Sequence, residues 1–454
     1  MINNFKSNFS KTFSLAFPVM LSQLGQVLVG VADSMMVGRL GAEPLAAASL
    51  ANSIFFVVLM FGIGVSMAIT PLVAMADGKN NPKRISRLFN HGFTINWITG
   101  TMLFFLIVLG SPLLYHLNQP EEVVVLGIPY LAIITLSLLP FMIFQTFKQF
   151  AEGLSQTRQA MYITLLCNAV NIFLNWVLIY GNLGAPALGL NGAGWATLIS
   201  RVLMALMIGY YIMKSRRYAP FELSFKLKKP SFPMVSKMLK IGVPTGFQFI
   251  FEVGAFSSAA IMMGWIGVNA LAAHQIAINL ASISYMMASG LSTAAMVRVG
   301  NQLGRKDIPT LREAGFTSFV MVAMFMSLTA VIFVLFREFL PSLYIDDMDV
   351  IKMSASLLVI AALFQLSDGI QVVGLGALRG MADVRVPTIV TLVAYWVIGL
   401  PLGYVFAFVI GMLEVGIWYG LLIGLTVTGI MLLYRFHALS AKLLRQSSPQ
   451  VSAL

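Results

Sequence analysis

Twelve apolar runs, each long enough to cross a bilayer, constrain this chain more than any other feature. A membrane-spanning helix needs about 20 consecutive, mostly apolar residues. Such runs occupy 14–38, 45–75, 88–110, 125–147, 159–181, 190–213, 238–264, 271–299, 313–336, 350–378, 386–409 and 414–436. Several are longer than a perpendicular span requires, and such runs tilt or protrude. They lack the alternation of β-barrel strands. Of the 454 residues, 58% are apolar and 10% charged, whereas a soluble domain carries about 25% charged residues. Length alone suggests roughly three soluble domains, but too few polar residues are present to cover them. The fold class expected is an all-α membrane protein with twelve transmembrane helices.

The distribution of positive charge predicts the orientation. With a cytoplasmic N-terminus, 25 of the 29 Lys and Arg residues fall on the cytoplasmic side. Only Arg39, Arg337 and Lys352 fall on the other side, and Arg201 lies within a span. Both termini are therefore expected in the cytoplasm, with the protein in the plasma (inner) membrane. The net charge of +12 follows from this asymmetry and implies no nucleic-acid partner. The opening MINNFKSNFSKTF lacks a cleavage site before the first run, which reads as a retained span. Cys167 is the single cysteine, so no internal disulfide or CxxC metal site is expected. Residues 214–240 carry eight basic side chains with Pro220, Pro230 and Pro233. The domain reading is a six-helix bundle at 1–213, a cytoplasmic linker at 214–237 and a second six-helix bundle at 238–454.

Residues 11–81 recur 226 positions later, with 16 identities in 71 ungapped positions, against roughly 6 expected by chance for so apolar a composition. The pairs include Pro18/Pro244, Gly38/Gly264, Gly41/Gly267, Leu45/Leu271, Gly64/Gly290 and Gly78/Gly304. Both halves have six spans and begin on the same side, so the repeat is parallel. Parallel six-span halves are a transporter architecture, with the substrate path expected between the halves.

Acids that break this symmetry are the candidate site. Asp33 corresponds to Ala259, Glu252 to Gln26, and Asp368 to Met142. A charge at bilayer depth costs about 3 kcal/mol or more and usually faces a cavity or a partner. Asn171 and Asn175 are four apart and share a helix face; with Asp33 they offer oxygens suited to a hard cation, or they hydrogen-bond between helices. Phe256 lies one turn beyond Glu252. Tyr285 offers a ring face to a cation, and Gln275 a hydrogen bond. Asp346, Asp347 and Asp349 form an external acidic cluster that attracts cations or is simply a solvated loop. Gly416, Gly420 and Gly424 form a stripe read as close helix packing. No Ser-His-Asp set, HExxH motif or P-loop is visible, so an enzyme is not expected, nor is a cofactor.

These segments together resemble the multidrug and toxic compound extrusion family, NorM-like branch. The resemblance rests on FPVMLSQLGQVLVGVADSMMVGRLG at 17–41, NAVNIFLNWVLIYG at 168–181, GVPTGFQFIFEVGAF at 242–256, LAAHQIAIN at 271–279 and SDGIQVVGLGALRGMAD at 367–383. It covers nearly the whole chain. It implies a V-shaped pair of six-helix bundles exporting cationic, amphipathic drugs or dyes in exchange for Na+ or H+, with no obligate protein partner. By resemblance, Glu252 and Asp368 form a cation site, binding Na+ if coupling is to sodium. Asp33, Asn171 and Asn175 form a second polar site. Positions matching Tyr285, Gln275, Asp346 and Asp347 are tied to cation or drug contacts in some relatives; Tyr285 is taken with the cation site, and Gln275, Asp346 and Asp347, with Phe256 and Gln26 added from their place in the sequence, are the candidate substrate contacts. Phe364 departs from the pattern, since some Na+-coupled relatives have Tyr there. The alternative within the same fold superfamily is a lipid-linked saccharide flippase, which favours basic residues in its cavity; only Arg201 falls in a span here. A channel and a membrane-embedded enzyme fit less well.

Overall fold

The computed structural model describes residues 2–116, 120–223 and 231–447. Among the described residues, twelve helices are long and apolar enough to cross a membrane. They are α1 Lys6–Gly38, α2 Ala42–Gly78, α3 Pro82–His116, α4 Glu121–Gly153, α5 Arg158–Tyr180, α6 Leu190–Lys214, α7 Phe232–Ile266, α8 Val268–Arg305, α9 Ile308–Leu335, α10 Met348–Gly380, α11 Arg385–Val409 and α12 Leu413–Ser447. No strand occurs among the described residues. The segment 224–230, with Lys226, Lys228 and Lys229 of the expected linker, lies outside them.

The 226-residue repeat is visible in how helices begin. Asn81 caps α3 by accepting from the Arg84 backbone N–H at 2.9 Å. Its equivalent, Asp307, caps α9 by accepting from Thr310 N–H at 3.1 Å. A side-chain oxygen here satisfies a backbone donor that the first turn leaves unpaired. Gly41 and Gly267, at the entries to α2 and α8, have φ of +127° and +154°, a region open to glycine and strained for other residues.

Two compact units emerge, and their boundaries do not fall in the linker. One comprises Leu21–Gly246; the other runs from Phe247 onward and includes the segment up to Met20. The breaks at 20/21 and 246/247 are themselves 226 residues apart. Each follows a helix-interior proline, Pro18 or Pro244, which removes a backbone hydrogen bond and favours a kink. The first part of α1 thus packs with the C-terminal unit and the first part of α7 with the N-terminal unit, a swap relative to the division at 213/238. Glycine permits both crossings. A Cβ on Gly64 would lie 2.4 Å from Gly246 Cα, and one on Gly290 would lie 2.5 Å from Met20 Cγ.

Polar contacts fasten the α1 segment within its unit. Arg298 is buried and donates to the Asn8 carbonyl at 2.8 Å, to Thr12 Oγ1 at 2.6 Å and to the Asn8 side chain. Asn8 donates in turn to Glu313 at 3.0 Å. The basic residue assigned to a cytoplasmic surface by its sequence position is here an internal staple.

Within the C-terminal unit, the Gly416–Gly420–Gly424 stripe does bring helices together. A Cβ on Gly420 would sit 2.4 Å from Gly403 Cα and 2.5 Å from the Gly399 carbonyl. The facing helix, α11, contains two π-helical segments, Val393–Gly399 and Val405–Val409. Gly420→Leu is expected to cost about 3 kcal/mol, because backbone cannot yield as a side chain can. Thermal unfolding in detergent checks this; Gly30→Ala, with nothing within 4 Å of the added Cβ, should leave the midpoint unchanged.

Candidate functional site

The C-terminal unit gathers its polar groups around one face of α7. Gln248, Glu252 and Phe256 are spaced by four and share that face. Glu252 is buried; its Oε1 accepts from Gln371 Nε2 at 3.2 Å. Gln371 Oε1 accepts from the Tyr395 hydroxyl at 3.0 Å. Asp368, three residues before Gln371 on α10, is also buried and within electrostatic reach of Glu252. Tyr285 feels both carboxylates. Phe256 packs near Tyr395, with ring centroids 6.0 Å apart. The second carboxylate oxygen of Glu252 is buried with no hydrogen-bond partner. An acceptor left bare in an apolar interior is costly, and a cation or proton would satisfy it.

Arg379 belongs to this cluster. Its sequence position groups it with the cytoplasmic charges, but it is buried. It donates to Gln248 Oε1 at 3.0 Å and lies 5.2 Å over the Phe249 ring. Its charge is felt at Glu252. Arg379 is thus within electrostatic reach of Glu252, and Glu252 in turn of Asp368. Among the described residues no group of three or more His, Cys, Asp or Glu is arranged to hold a metal ion. A hard cation at Glu252 and Asp368 would draw further ligands from neutral amide and phenolic oxygens, a set suited to a weakly held, exchangeable ion.

Phe364, one turn before Asp368, stacks on Trp418 at 5.5 Å and 22°. Trp418 Nε1 lies 3.2 Å from His274 Nδ1 and donates to it. His274 is thereby fixed as a packing residue. The ring at position 364 fills an apolar contact where a phenol would bring a hydroxyl.

The N-terminal unit holds a second polar group. Asn175 Nδ2 donates to Asp33 and, at 3.3 Å, to Asn171 Oδ1. The three residues marked by sequence asymmetry and spacing thus form one hydrogen-bonded set. A close approach of α1 to α5 produces it: a Cβ on Gly25 would lie 2.7 Å from Leu165 and 3.1 Å from Asn168. Two turns further on, Asp33 meets Asn175. The Asn175 carbonyl oxygen and the Asn168 amide are buried without partners. Arg201 lies in the same unit, donating to Ser137 Oγ at 2.7 Å.

Other candidates stand apart from these clusters. Gln275 is exposed and Gln26 half-buried, and no hydrogen bond ties either one to Glu252 or Asp33. Asp346 and Asp347 are exposed. Asp347 caps α10, accepting from Asp349 N–H at 2.9 Å and Val350 N–H at 3.2 Å, which gives that acid a structural role.

Twelve apolar helices in two repeat-related halves, with Glu252 and Asp368 buried in one and half-buried Asp33 in the other, define a multi-pass membrane transporter. The chain belongs to the MatE family, whose model matches residues 18–177 and 244–405. It is similar to a protein of Mesorhizobium japonicum named probable multidrug resistance protein NorM, 35% identical over 441 residues, covering 96% of this chain and 94% of that one. It is also similar to the multidrug resistance protein NorM of Photobacterium profundum, at 33% identity with 96% of each chain covered. A solved structure described as the outward-facing conformation of a multidrug resistance MATE family transporter shares the fold. Its TM-score is 0.89 at 21% identity, covering 96% of this chain and 97% of that one. Its relatives are transporters rather than enzymes.

Proposed function

We propose that the protein is a secondary active multidrug exporter of amphipathic cations, working in antiport with Na+ or H+ by alternating access. The carrying observation is the buried carboxylate pair Glu252 and Asp368, with one Glu252 carboxylate oxygen left without a hydrogen-bond partner. Such a group at bilayer depth needs a counter-charge that comes and goes. The names of the relatives support the substrate class.

In this mechanism a coupling cation enters the Glu252–Asp368 cluster and favours release of drug outside. Asp33, Asn171 and Asn175 form the second polar locus. Ion and drug must prefer different states, since equal affinity for both shifts nothing. Exchange of one monovalent ion for one monovalent drug moves no net charge. Two ions per drug would draw about 2.3 kcal/mol per 100 mV from the membrane potential. Both termini lie in the cytoplasm and the plasma membrane is the site of action, in line with the charge asymmetry. The transport cycle requires no cofactor or partner protein.

The test is efflux of a cationic fluorescent dye from an efflux-deficient host, first under a Na+ gradient at constant pH, then under a pH gradient without Na+. The proposal expects efflux under at least one gradient. Efflux under neither, with the protein present in the membrane, would favour lipid-linked saccharide flipping, for which half-buried Arg201 and buried Arg379 supply guanidinium groups.

A further inference from the structure

Arg201 is a charge that the transport reading leaves without a role. It lies near the middle of α6, eleven residues from Leu190 and thirteen from Lys214. The ion pairs among the described residues are Lys148–Glu152 and Arg435–Asp383, so Arg201 has no direct carboxylate partner. Neutral groups hold it instead. Its Nη1 donates to Ser137 Oγ at 2.7 Å, at the break within α4. Its guanidinium lies 5.0 Å from the Phe55 ring centroid and 4.8 Å from that of Phe141. A hydroxyl and two ring faces fix its position but do not neutralise it.

A fixed guanidinium at bilayer depth requires a counter-charge nearby. The unit Leu21–Gly246 contains seven acids. Glu43 sits in the first turn of α2, Asp77 in its last turn, and Glu121 and Glu122 in the first turn of α4. Glu152 pairs with Lys148, and Glu222 follows α6 outside any span. Only Asp33 remains inside. Asp33 and Arg201 are each within electrostatic reach of the other, and Tyr130 of both. Tyr130 and Ser137 are seven apart, on one face of α4, and Tyr130 donates to Asn52 Oδ1 at 3.3 Å, one turn before Phe55. The α4 face that holds Arg201 through Ser137 thus also carries Tyr130, which is within electrostatic reach of Asp33.

We propose that Arg201 is a built-in counter-ion of Asp33: a tethered cation that offsets the carboxylate while no transported cation is present and so limits how tightly, and at what charge, this unit binds cations. The inference rests on the cation-transport reading. It assigns Arg201 a specificity-setting role in which the internal guanidinium competes electrostatically with an incoming cation. Repulsion by the Arg201 guanidinium grows with the charge of the incoming ligand, so it opposes a dication more than a monocation with the same ring system.

The test uses the full chain in lipid nanodiscs and two dyes with one phenanthridinium core, monocationic ethidium and dicationic propidium, with binding read by fluorescence anisotropy. Arg201→Met should tighten ethidium binding about tenfold and propidium binding by more, because removing a like charge acts in proportion to ligand charge. Arg201→Lys should stay near wild type. In an Asp33→Asn background Arg201→Met should also relieve the repulsion, and Asp33→Asn alone should bind most weakly of the set. If Arg201→Met cannot be purified, Arg201→Gln, which can keep the bond to Ser137, serves in its place. Unchanged or weaker binding in the charge-removed variants, or equal changes for the two dyes, would overturn the proposal. Failure of the wild type to bind either dye would instead overturn the transport reading beneath it.

Discussion

Glu252→Gln or Asp368→Asn should reduce ion-driven dye efflux by about a hundredfold or more, while the protein still reaches the membrane in normal amount. The size of the effect follows from what the two acids do: they are the carboxylates buried within the C-terminal unit's spans, and an amide cannot carry the exchangeable negative charge. The amide is nearly isosteric and can keep the Gln371 contact to position 252, so packing should survive. The neutral scaffold gives a graded comparison. Tyr395→Phe removes the hydroxyl that holds Gln371 but leaves both charges. Its efflux should fall several-fold, with the protein retaining ion dependence. Initial rates of efflux at matched expression check both statements. Full activity in either acid variant would remove these residues from the coupling role.

Trp418→Ala should be the most destabilising single change in the C-terminal unit, by about 3–5 kcal/mol. Trp418 is fully buried. It stacks on Phe364, meets the His274 ring edge-on at 5.7 Å and donates its indole N–H to His274. Alanine would leave a large cavity and a buried imidazole nitrogen without its donor. Trp418→Phe would fill most of the volume yet still lose the hydrogen bond, so it should cost less. Thermal unfolding of the purified protein in detergent separates the two. A midpoint for Trp418→Ala within a degree or two of wild type would show that the cluster is not the packing centre its burial indicates.

Much of this arrangement is legible in the sequence because apolar length and repetition are local signals. The 226-residue offset anticipates the paired caps at Asn81 and Asp307 and the paired glycines at Gly41 and Gly267. It also contains the swap of helix segments, since Pro18 and Pro244 are equivalent, but a division at the charged linker hides it. Span boundaries mark where chain leaves the membrane, whereas packing units are set by which surfaces touch. Asp33, Asn171 and Asn175 come together as their asymmetry and spacing suggest.

The rest of the site depends on tertiary context. Arg379 lies in the last turn of α10, where position alone groups it with cytoplasmic charge; its burial becomes visible only with Gln248 and Phe249 placed against it. Gln371 lies one turn from Asp368, so helical spacing alone places it on that face. Spacing does not place Tyr395, because it sits in a π-helical segment of α11, whose wider turn shifts side chains off the regular α-helical register. Conversely, Asp347 illustrates that an acid next to a helix start first serves the backbone.

The most direct test of cation exchange at Glu252 and Asp368 is the reverse reaction in proteoliposomes. A gradient of cationic dye would be imposed with equal Na+ and pH on both sides, while internal Na+ and internal pH are followed by fluorescent indicators. Coupled exchange predicts that dye moving down its gradient drives Na+ or H+ the other way, and that Glu252→Gln abolishes this ion movement. Dye movement with no opposing flux of either ion would contradict the account.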